Sequence, residues 1–495
     1  MNAAGFSVKA RGHACRNSSP SRAGTIASQE WLAYQHGIHV FVQPQLKRHR
    51  TALRMGGANS DEGKRVPIVY GHGSIFFHRN CLSLNILCIP HSEILFGKTW
   101  HKYCLINLQK VLLGHYAITR KVFTERSTME RICIIGGGNG AFAAASDMAL
   151  RGHQVSLFEM PEFGAGIKAI QEKGGIQCKC LPSNQLKEGF AKLHKITTDV
   201  TEAFVDSDVI FVITPATAHE NIAKTISPHI HEDQILVLSP ANFGGSIRFR
   251  DALLANGCSE KTRVAEFDCM MYATRKTGPD SCWIRGYKHN MGCAVFPSKY
   301  TEEVYERLKR IYPTLVKRDN VLITGISNIN SIGHPACMLG NISILDGGQA
   351  PLMNSIKTES VAKIRRALDN ERMQLRSIGL NLTPLPDIYQ SYYAYQGATG
   401  TPDEAWRFNP IYVDSKFPTS WSHRYLTEDI PFGLVPMEEL LDQYNLPHPV
   451  MTACINLAEL LCDQDFRATG MKLSSCHLKG LTEEELLQYM ETGKL

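Results

Sequence analysis

The pattern that predicts the first well-defined elements is a short apolar run followed by glycines. Residues 131–135, RICII, are β-branched and apolar and predict a buried strand. Residues 136–140, GGGNG, follow at once, and the small side chains of residues 141–150 predict a closely packed helix. Residues 154–158 predict a second strand, which closes with Glu159. The segment therefore predicts a strand, a glycine loop, a helix and a second strand in succession.

Later hydrophobic patterns extend this arrangement. Apolar runs at residues 209–214 and 235–238 predict further strands. Residues 266–298 predict a β-rich continuation of the same sheet. Residues 300–312 predict a helix with one apolar face formed by Val304, Leu308 and Ile311. From residue 323 onward the strand patterns give way to long helical ones, so a second, helical region is expected.

The glycine-rich stretch fits the spacing G-x-G-x-x-A, with Gly136, Gly138 and Ala141 at its three small-residue positions. Gly136 permits a tight turn, Gly138 lets a pyrophosphate approach the backbone, and Ala141 lets the helix pack close to the strand. Asn139 and Gly140 complete the loop before the predicted helix, whose free N–H groups and positive dipole end favour phosphates. These five residues predict a dinucleotide-binding loop.

Glu159 stands where an acidic side chain accepts hydrogen bonds from the adenosine ribose hydroxyls. Because a carboxylate there repels a 2′-phosphate, we expect NAD as the cofactor, with NADP as the alternative. Ala216 and Asn242 follow two later strands and are either cofactor neighbours or ordinary turn residues. Strand, glycines, helix, strand and acid in register favour a Rossmann domain over a glycine turn in another α/β protein.

Residues 1–128 differ in charge from the rest of the chain. They hold 17 Lys and Arg against 5 Asp and Glu, a formal balance of +12, whereas residues 129–495 have a balance of −6. Three interpretations are open: a disordered basic tail, an organelle-targeting segment, or a stretch outside the functional unit. We favour the third, because Met129 almost directly precedes the first strand. The basic cluster at residues 47–50 lacks interleaved aromatic residues, so no nucleic-acid partner is expected.

We therefore expect three regions in this 495-residue chain. Residues 1–128 form a basic, poorly structured extension. Residues 129–322 form an α/β Rossmann domain that binds NAD or NADP, and residues 323–495 form an all-α domain. The composition, 43% hydrophobic and 20% charged, is that of a globular protein with a sizeable core.

Hydropathy and cysteine usage exclude other classes of protein. No apolar run reaches the roughly 18–20 residues of a membrane span, and no clean signal peptide follows Met1. The 15 cysteines are scattered without a metal-type pair, and the one close pair, Cys178 and Cys180, is expected to be two loop thiols. We expect no metal, no membrane partner, and a reducing, cytoplasmic location unless the basic extension targets an organelle.

Two clusters in the second half carry candidate chemistry: residues 328–336, NINSIGHPA, and residues 423–431, HRYLTEDIP. Taken in order with the glycine loop and residues 278–288, GPDSCWIRGYK, they resemble the octopine/opine dehydrogenase family. The resemblance runs from about Met129 to the end of the chain. It implies a Rossmann domain joined to an all-helical domain, with the substrate in the cleft. It also implies NADH-dependent reductive condensation of an α-keto acid, usually pyruvate, with the amine of an amino acid.

The resemblance implies a role for three residues. His334 is the acid–base residue, Asp429 is its partner, and Arg424 binds a substrate carboxylate. The residue types suit the reaction, because an imidazole near its neutral pKa can exchange a proton with the reacting nitrogen. A carboxylate partner fixes the imidazole tautomer, and a guanidinium holds a carboxylate through two hydrogen bonds. Without the resemblance, His334 would be taken as a packing residue and the other two as a surface ion pair.

Two other functions are weighed against this one. The first is a keto-acid or hydroxy-acid dehydrogenase that needs no amine, of the ketopantoate reductase or glycerol-3-phosphate dehydrogenase type. Those enzymes commonly rely on lysine, and residues 328–341 contain none. The second is a non-catalytic NAD(P)-binding sensor. The expected partners are small-molecule substrates only, and a monomer or homodimer is expected.

Overall fold

A computed structural model describes residues 129–495 and, before them, two short antiparallel strands, β1 (Ser74–Ile75) and β2 (Leu84–Asn85). The chain divides into two units, Met1–His101 and Lys102–Leu495. Apart from the β1–β2 pair, the predictions made for residues 1–128 lie outside the described residues.

The strands beyond residue 128 are β3 (Arg131–Ile135), β4 (Gln154–Phe158), β5 (Gly175–Cys180), β6 (Gly189–Lys192), β7 (Lys195–Thr197), β8 (Val209–Val212), β9 (Ile235–Leu238), β10 (Arg263–Phe267), β11 (Tyr272–Gly278), β12 (Ser281–Tyr287), β13 (Gly292–Phe296) and β14 (Val316–Lys317). Eight of them form one sheet in the order β14-β13-β10-β9-β8-β3-β4-β7. Six consecutive strands of this order run parallel to one another, namely β10, β9, β8, β3, β4 and β7. β13 runs antiparallel to β10.

The parallel part of this sheet has the strand order of a Rossmann domain. Read in chain order, its strands lie as 3-2-1-4-5-6, so the order reverses between β3 and β8. The four predicted apolar runs form β3, β4, β8 and β9. They carry few polar residues because helices cover both faces of a parallel sheet. Ligands of such sheets bind beyond the carboxyl ends of the strands at this switch point.

The prediction that residues 266–298 continue this sheet is wrong for their middle part. β10 and β13 do belong to it, but β11 and β12 form a hairpin in a second sheet of order β11-β12-β5-β6. The burial of β11 alternates along the strand, as expected for a strand that faces water on one side. Cys178 and Cys180 lie in β5 of this sheet, so their expected loop position is also wrong.

The helices are α1 (Asn139–Leu150), α2 (Lys168–Lys173), α3 (Val200–Ala203), α4 (His219–Ile226), α5 (Gly245–Ala255), α6 (Thr301–Ile311), α7 (Val321–Ile326), α8 (Ile329–Leu339), α9 (Ile342–Asp346), α10 (Met353–Ile356), α11 (Glu359–Met373), α12 (Leu385–Tyr393), α13 (Pro402–Arg407), α14 (Arg424–Thr427), α15 (Val435–Gln443), α16 (Pro449–Cys462), α17 (Phe466–Thr469) and α18 (Glu483–Thr492). The predicted helix at residues 300–312 is α6, with its three apolar residues buried. Among the described residues, no helix is long and apolar enough to cross a membrane.

Helix α8 lies at the centre of the helical region. It packs against α11, α14 and α16. All but three of its eleven residues are buried, although Pro335 stands inside it. A proline there removes one backbone hydrogen bond, so packing with the neighbouring helices has to hold α8 in place. The helix that bears the NINSIGHPA cluster is thus fixed from several sides.

Phe267 at the end of β10 provides a test of the packing in the central sheet. It is 1% exposed and lies edge-on to Phe211, with ring centroids 6.1 Å apart. We expect Phe267→Ala to lower the free energy of unfolding by about 3–5 kcal/mol, through lost burial and a residual cavity. Chemical denaturation followed by circular dichroism measures the change.

Phe163 is the matched control, because it is 62% exposed. Phe163→Ala should change stability by less than about 0.5 kcal/mol. Equal losses in the two variants would contradict the core assignment of Phe267.

Candidate active site

The glycine loop at the end of β3 is shaped to approach a ligand. Gly136 has φ +122°, and a β-carbon there would lie 2.7 Å from the carbonyl oxygen of Ile213, so only glycine fits. A β-carbon on Gly138 would have no heavy atom of the described residues within 4 Å. The backbone at Gly138 is therefore open on the side that a phosphate would occupy. The loop fits the dinucleotide expected for it.

The three residues after Gly138 form the first turn of α1. Ala141 is helical, as predicted, but the helix begins at Asn139, two residues before its predicted start. Ala141 is fully buried against the sheet. A β-carbon on Gly140 would lie 2.6 Å from Sδ of Met270, so this glycine is required by packing. The side chain of Asn139 accepts a hydrogen bond from the backbone N–H of Lys276 at 2.6 Å. Asn139 therefore joins the glycine loop to β11 of the second sheet.

Glu159 directly follows β4 and lies under the glycine loop. It is 9% exposed, and its Oε1 accepts a hydrogen bond from the backbone N–H of Met160 at 2.8 Å. Its Oε2 would be 2.7 Å from a β-carbon on Gly137. Burial raises the pKa of Glu159 above its usual value. The carboxylate thus lies beside the glycine loop, where the sequence predicts it.

His334 and Asp429, which lie 95 residues apart in the chain, are in contact. His334 Nδ1 is 2.7 Å from Asp429 Oδ2, and the Asp429 side chain is only 3% exposed. The His334 side chain is 21% exposed, and its Nε2 forms no hydrogen bond to the described residues. One imidazole nitrogen is thus held by the carboxylate while the other is available for proton exchange.

Aromatic rings and charges around His334 set its protonation. The ring of Tyr425 stacks on it at a centroid distance of 3.4 Å, and His423 contacts Tyr425 edge-on at 4.4 Å. Burial lowers the pKa of His334, while the carboxylate of Asp429 acts in the opposite direction. Burial and the nearby positive charges of His334 and Arg424 lower the pKa of His423 to about 4. His423 therefore stays neutral at physiological pH.

Close packing of two elements brings Asp429 to His334. A π-helical turn, Ile430–Leu434, directly follows Asp429. A β-carbon on Gly433 of this turn would lie 2.6 Å from Oγ of Ser331 on α8, so glycine is needed for the contact. Such π turns often occur at functional sites.

Arg424 is the first residue of α14 and is half-exposed. Its Nε donates a hydrogen bond to Oε2 of Glu428 at 2.9 Å. Its two terminal nitrogens form no hydrogen bond within the described part of the chain. The guanidinium is thus held from one side and can offer its remaining donors to a carboxylate.

Glu428, which sequence reasoning missed, connects this arginine to the Rossmann sheet. Its buried Oε1 accepts hydrogen bonds from the backbone N–H of Ala216 at 3.3 Å and from Nδ2 of Asn242 at 3.4 Å. Asn242 in turn accepts one from Asn328, the residue that caps α8, at 2.7 Å. Ala216 and Asn242, predicted as cofactor neighbours or turn residues, therefore contact Glu428. The i, i+4 spacing of Arg424 and Glu428 was the available signal.

The candidate site therefore combines residues from motifs that lie far apart in the sequence. His334, Asp429 and Arg424 meet in the helical half, and Glu428 attaches them to loops at the carboxyl edge of the sheet that also carries the glycine loop. Within residues 129–495, no group of three or more His, Cys, Asp or Glu side chains is placed to hold a metal ion.

Comparison with protein families gives two matches. Residues 317–462 match the alpha-helical domain of NAD/NADP octopine/nopaline dehydrogenases. Residues 131–240 match the N-terminus of NAD-dependent glycerol-3-phosphate dehydrogenases. The two matches fall on the helical and Rossmann halves, respectively.

Relatives match most of the chain. An opine dehydrogenase from Arthrobacter sp. (strain 1C) is 32% identical over 352 residues, which cover 70% of this chain and 95% of the relative. Octopine dehydrogenase from Mizuhopecten yessoensis is 24% identical over 360 residues, 64% of this chain and 86% of the relative.

Solved structures share the fold. Octopine dehydrogenase with NADH and L-arginine has a TM-score of 0.59 at 22% identity, covering 74% of this chain and 98% of that chain. Yersinopine dehydrogenase with NADP+ has a TM-score of 0.52 at 14% identity, covering 73% of this chain and 98% of that chain. The predicted fold class, a Rossmann domain followed by an all-α domain, is confirmed.

The contact between His334 and Asp429 makes the pKa of the imidazole measurable as a test. The negative carboxylate stabilises the imidazolium, so Asp429→Asn should lower the pKa of His334 further below its usual value. NMR titration of isotope-labelled histidines measures it, with the His334 signal assigned by its loss in His334→Asn.

Asp251→Asn is the matched control. Asp251 pairs with His477 at the surface, with 3.0 Å between Oδ2 and Nε2. This variant should leave the pKa of His334 unchanged. An unchanged pKa in Asp429→Asn would mean that the carboxylate does not act on the imidazole.

Proposed function

Because the chain belongs to the opine dehydrogenase family of NAD(P)-dependent oxidoreductases, we propose that it joins an α-keto acid to the amine of an amino acid. The keto acid and the amine lose water to form an imine. Addition of a hydride to the imine carbon and a proton to its nitrogen then gives a secondary amine. The reverse reaction oxidises the CH–NH bond.

The observation that carries this proposal is the contact between His334 and Asp429 beside the half-exposed Arg424. Both substrates carry a carboxylate next to the reacting atoms, and the nitrogen between them gains and loses protons. A cation with free donors next to an acid–base pair meets both needs. The reaction also needs a hydride donor, and the open glycine loop at the sheet edge is suited to bind a dinucleotide cofactor.

His334 carries the protons in this proposal. Asp429 holds the hydrogen on Nδ1, so Nε2 exchanges protons with the substrate. In the reductive direction the imidazolium gives its Nε2 proton to the nitrogen as the hydride arrives at carbon. In the oxidative direction the neutral imidazole takes that proton back. Asp429 also stabilises the charged form that burial would otherwise disfavour.

Arg424 holds a substrate carboxylate through its terminal nitrogens. Glu428 accepts from Nε and so limits how the guanidinium can turn. A carboxylate held through two hydrogen bonds fixes the position of its α-carbon relative to the cofactor and to His334. Arg424 is in this way the positioning group for the reacting carbon.

The cofactor would be held by the glycine loop, the start of α1 and the acidic residue after β4, that is by Gly136, Gly138, Asn139, Gly140, Ala141 and Glu159. The open space at Gly138 suits a pyrophosphate. The carboxylate of Glu159 suits the ribose hydroxyls of NAD. A bound dihydronicotinamide supplies the hydride.

The substrate class follows from the relatives. Octopine dehydrogenase structures have been solved with L-arginine, with agmatine and with pyruvate. For this chain we propose pyruvate as the keto acid and an amino acid as the amine donor.

The first experiment measures NADH oxidation by the full chain with pyruvate across a panel of amino acids. We expect turnover only when an amino acid is present. His334→Asn should lower kcat by about 10²–10⁴-fold, because it removes the acid–base group. His477→Asn, at the matched surface pair with Asp251, should leave kcat unchanged.

The other possible results of this assay correspond to the rival functions. Equal oxidation with pyruvate alone would favour a dehydrogenase that needs no amine, in line with the glycerol-3-phosphate dehydrogenase match of residues 131–240. NADH binding without turnover on any donor would favour a sensor.

Arg424 and Glu428 give a second prediction. Arg424→Lys keeps the charge but loses the planar fork, so we expect KM for the carboxylate substrate to rise by about 10–100-fold, with a smaller change in kcat. Glu428→Gln should shift KM in the same direction, because a neutral amide holds the guanidinium less firmly. Steady-state kinetics measures both variants.

Glu302→Gln is the control for this pair, since Glu302 forms an exposed ion pair with Lys317. It should change neither KM nor kcat. A loss of kcat at unchanged KM in Arg424→Lys would instead show that the arginine does not bind the substrate carboxylate.

A further inference from the structure

Lys276 lies outside the glycine fingerprint but reaches into it. It belongs to β11 of the second sheet. Its backbone N–H donates to Asn139 at the start of α1. Its Nζ donates to the carbonyl of Gly137 at 3.2 Å and to the carbonyl of Gly166 at 3.3 Å. Backbone and side chain together hold a cation at the glycine loop.

Within residues 129–495, the charge of Lys276 has no carboxylate partner. Among the residues that the structure describes, its Nζ forms no ion pair. It donates to two carbonyl oxygens and lies over the face of Phe142, at 3.7 Å from the ring centroid. The neighbouring Lys173, in contrast, is paired with Asp280. Burial lowers the pKa of Lys276, and the negative charge of Glu159 acts against this effect. A partly desolvated ammonium that lacks a counter-ion is suited to receive an anion.

The location of Lys276 indicates which anionic group of a bound cofactor would lie nearest to it. Both Lys276 and Glu159 lie against Gly137. Lys276 donates to the carbonyl of this glycine, and Oε2 of Glu159 lies next to its α-carbon. The other partner of Lys276, Gly166, ends the helical turn Pro161–Gly166 that follows β4 and Glu159. In Rossmann domains the acidic residue after the second strand binds the adenosine ribose, and the glycine loop and helix N-terminus bind the pyrophosphate. A bound cofactor would therefore place its ribose on the side of Glu159 and its pyrophosphate at Gly138 and the start of α1. The anion nearest Lys276 is therefore one carried by the ribose.

We propose that Lys276 binds the 2′-phosphate of NADPH, so that the site accepts NADPH as well as NADH. This inference rests on the proposed dinucleotide-dependent function. Glu159 alone repels a 2′-phosphate, and Lys276 beside it supplies the compensating charge. The ribose hydroxyls of NADH still meet Glu159, so the two cofactors would use two different side chains of opposite charge.

The test measures binding rather than turnover. Dissociation constants of NADPH and NADH for the full chain are determined by fluorescence titration without substrates. Lys276→Met keeps an unbranched side chain and removes the charge. We expect it to weaken NADPH binding by about 10-fold or more and to change NADH binding by less than about 2-fold. Lys276→Arg should retain NADPH binding.

Control measurements separate the possible causes. Lys173→Met, which removes the nearby paired lysine, should change neither constant, and thermal unfolding of each variant checks its fold. Displacement by 2′,5′-ADP and by ADP distinguishes the two phosphates of the cofactor. Equal weakening of NADH and NADPH, or of both fragments, would place Lys276 at the pyrophosphate and overturn the assignment. Unchanged NADPH binding in Lys276→Met would overturn it as well.

The outcome for the unmodified chain keeps this inference separate from the proposed function. If the full chain binds neither NADH nor NADPH, the dinucleotide-dependent function fails. If it binds NADH but the Lys276→Met change leaves the preference between the cofactors unaltered, only the role of Lys276 fails.

Discussion

A hydrogen bond between two side chains 95 residues apart fixes the geometry of the helical half. Nδ1 of His334 and Oδ2 of Asp429 are 2.7 Å apart, and this requires α8 and the π turn after Asp429 to pack closely. Gly433 makes that packing possible, since a β-carbon there would meet Ser331. Pro335 weakens α8 locally, so neighbouring helices supply its support. In the proposed mechanism, proton transfer depends on all of these, because a misplacement of about 1 Å is costly for catalysis.

Local patterns predict the parts of this fold that depend on neighbours in sequence. The strand at residues 131–135, the glycine loop and the helix after it could be predicted because periodicity and backbone freedom set them. The second sheet could not, because β12 pairs with β5, which lies far earlier in the chain. Periodicity indicates that residues 281–287 form a strand, but it carries no information about which strand they pair with.

In the candidate site, too, local motifs could be predicted from the sequence and contacts between distant residues could not. His334, Asp429 and Arg424 stand in two motifs and could be proposed from them. Ala216 and Asn242 could also be proposed, as residues that follow strands. Their contact with Glu428, which joins the two halves of the molecule, could not be predicted from the sequence. The position of Lys276 could not be predicted for a related reason, because its contact with the glycine loop depends on where the second sheet packs.

The hydrogen bonds of Glu428 have a consequence for protein engineering. They run from a buried carboxylate to Asn242 in a loop of the Rossmann sheet, and from there to Asn328 at the start of α8. A chimera that combines this Rossmann half with another helical half would separate these donors and acceptors. Each buried polar group left without a partner costs about 1–3 kcal/mol. A chimera designed to change the substrate range should therefore take residues 242, 328 and 428 from the same parent protein.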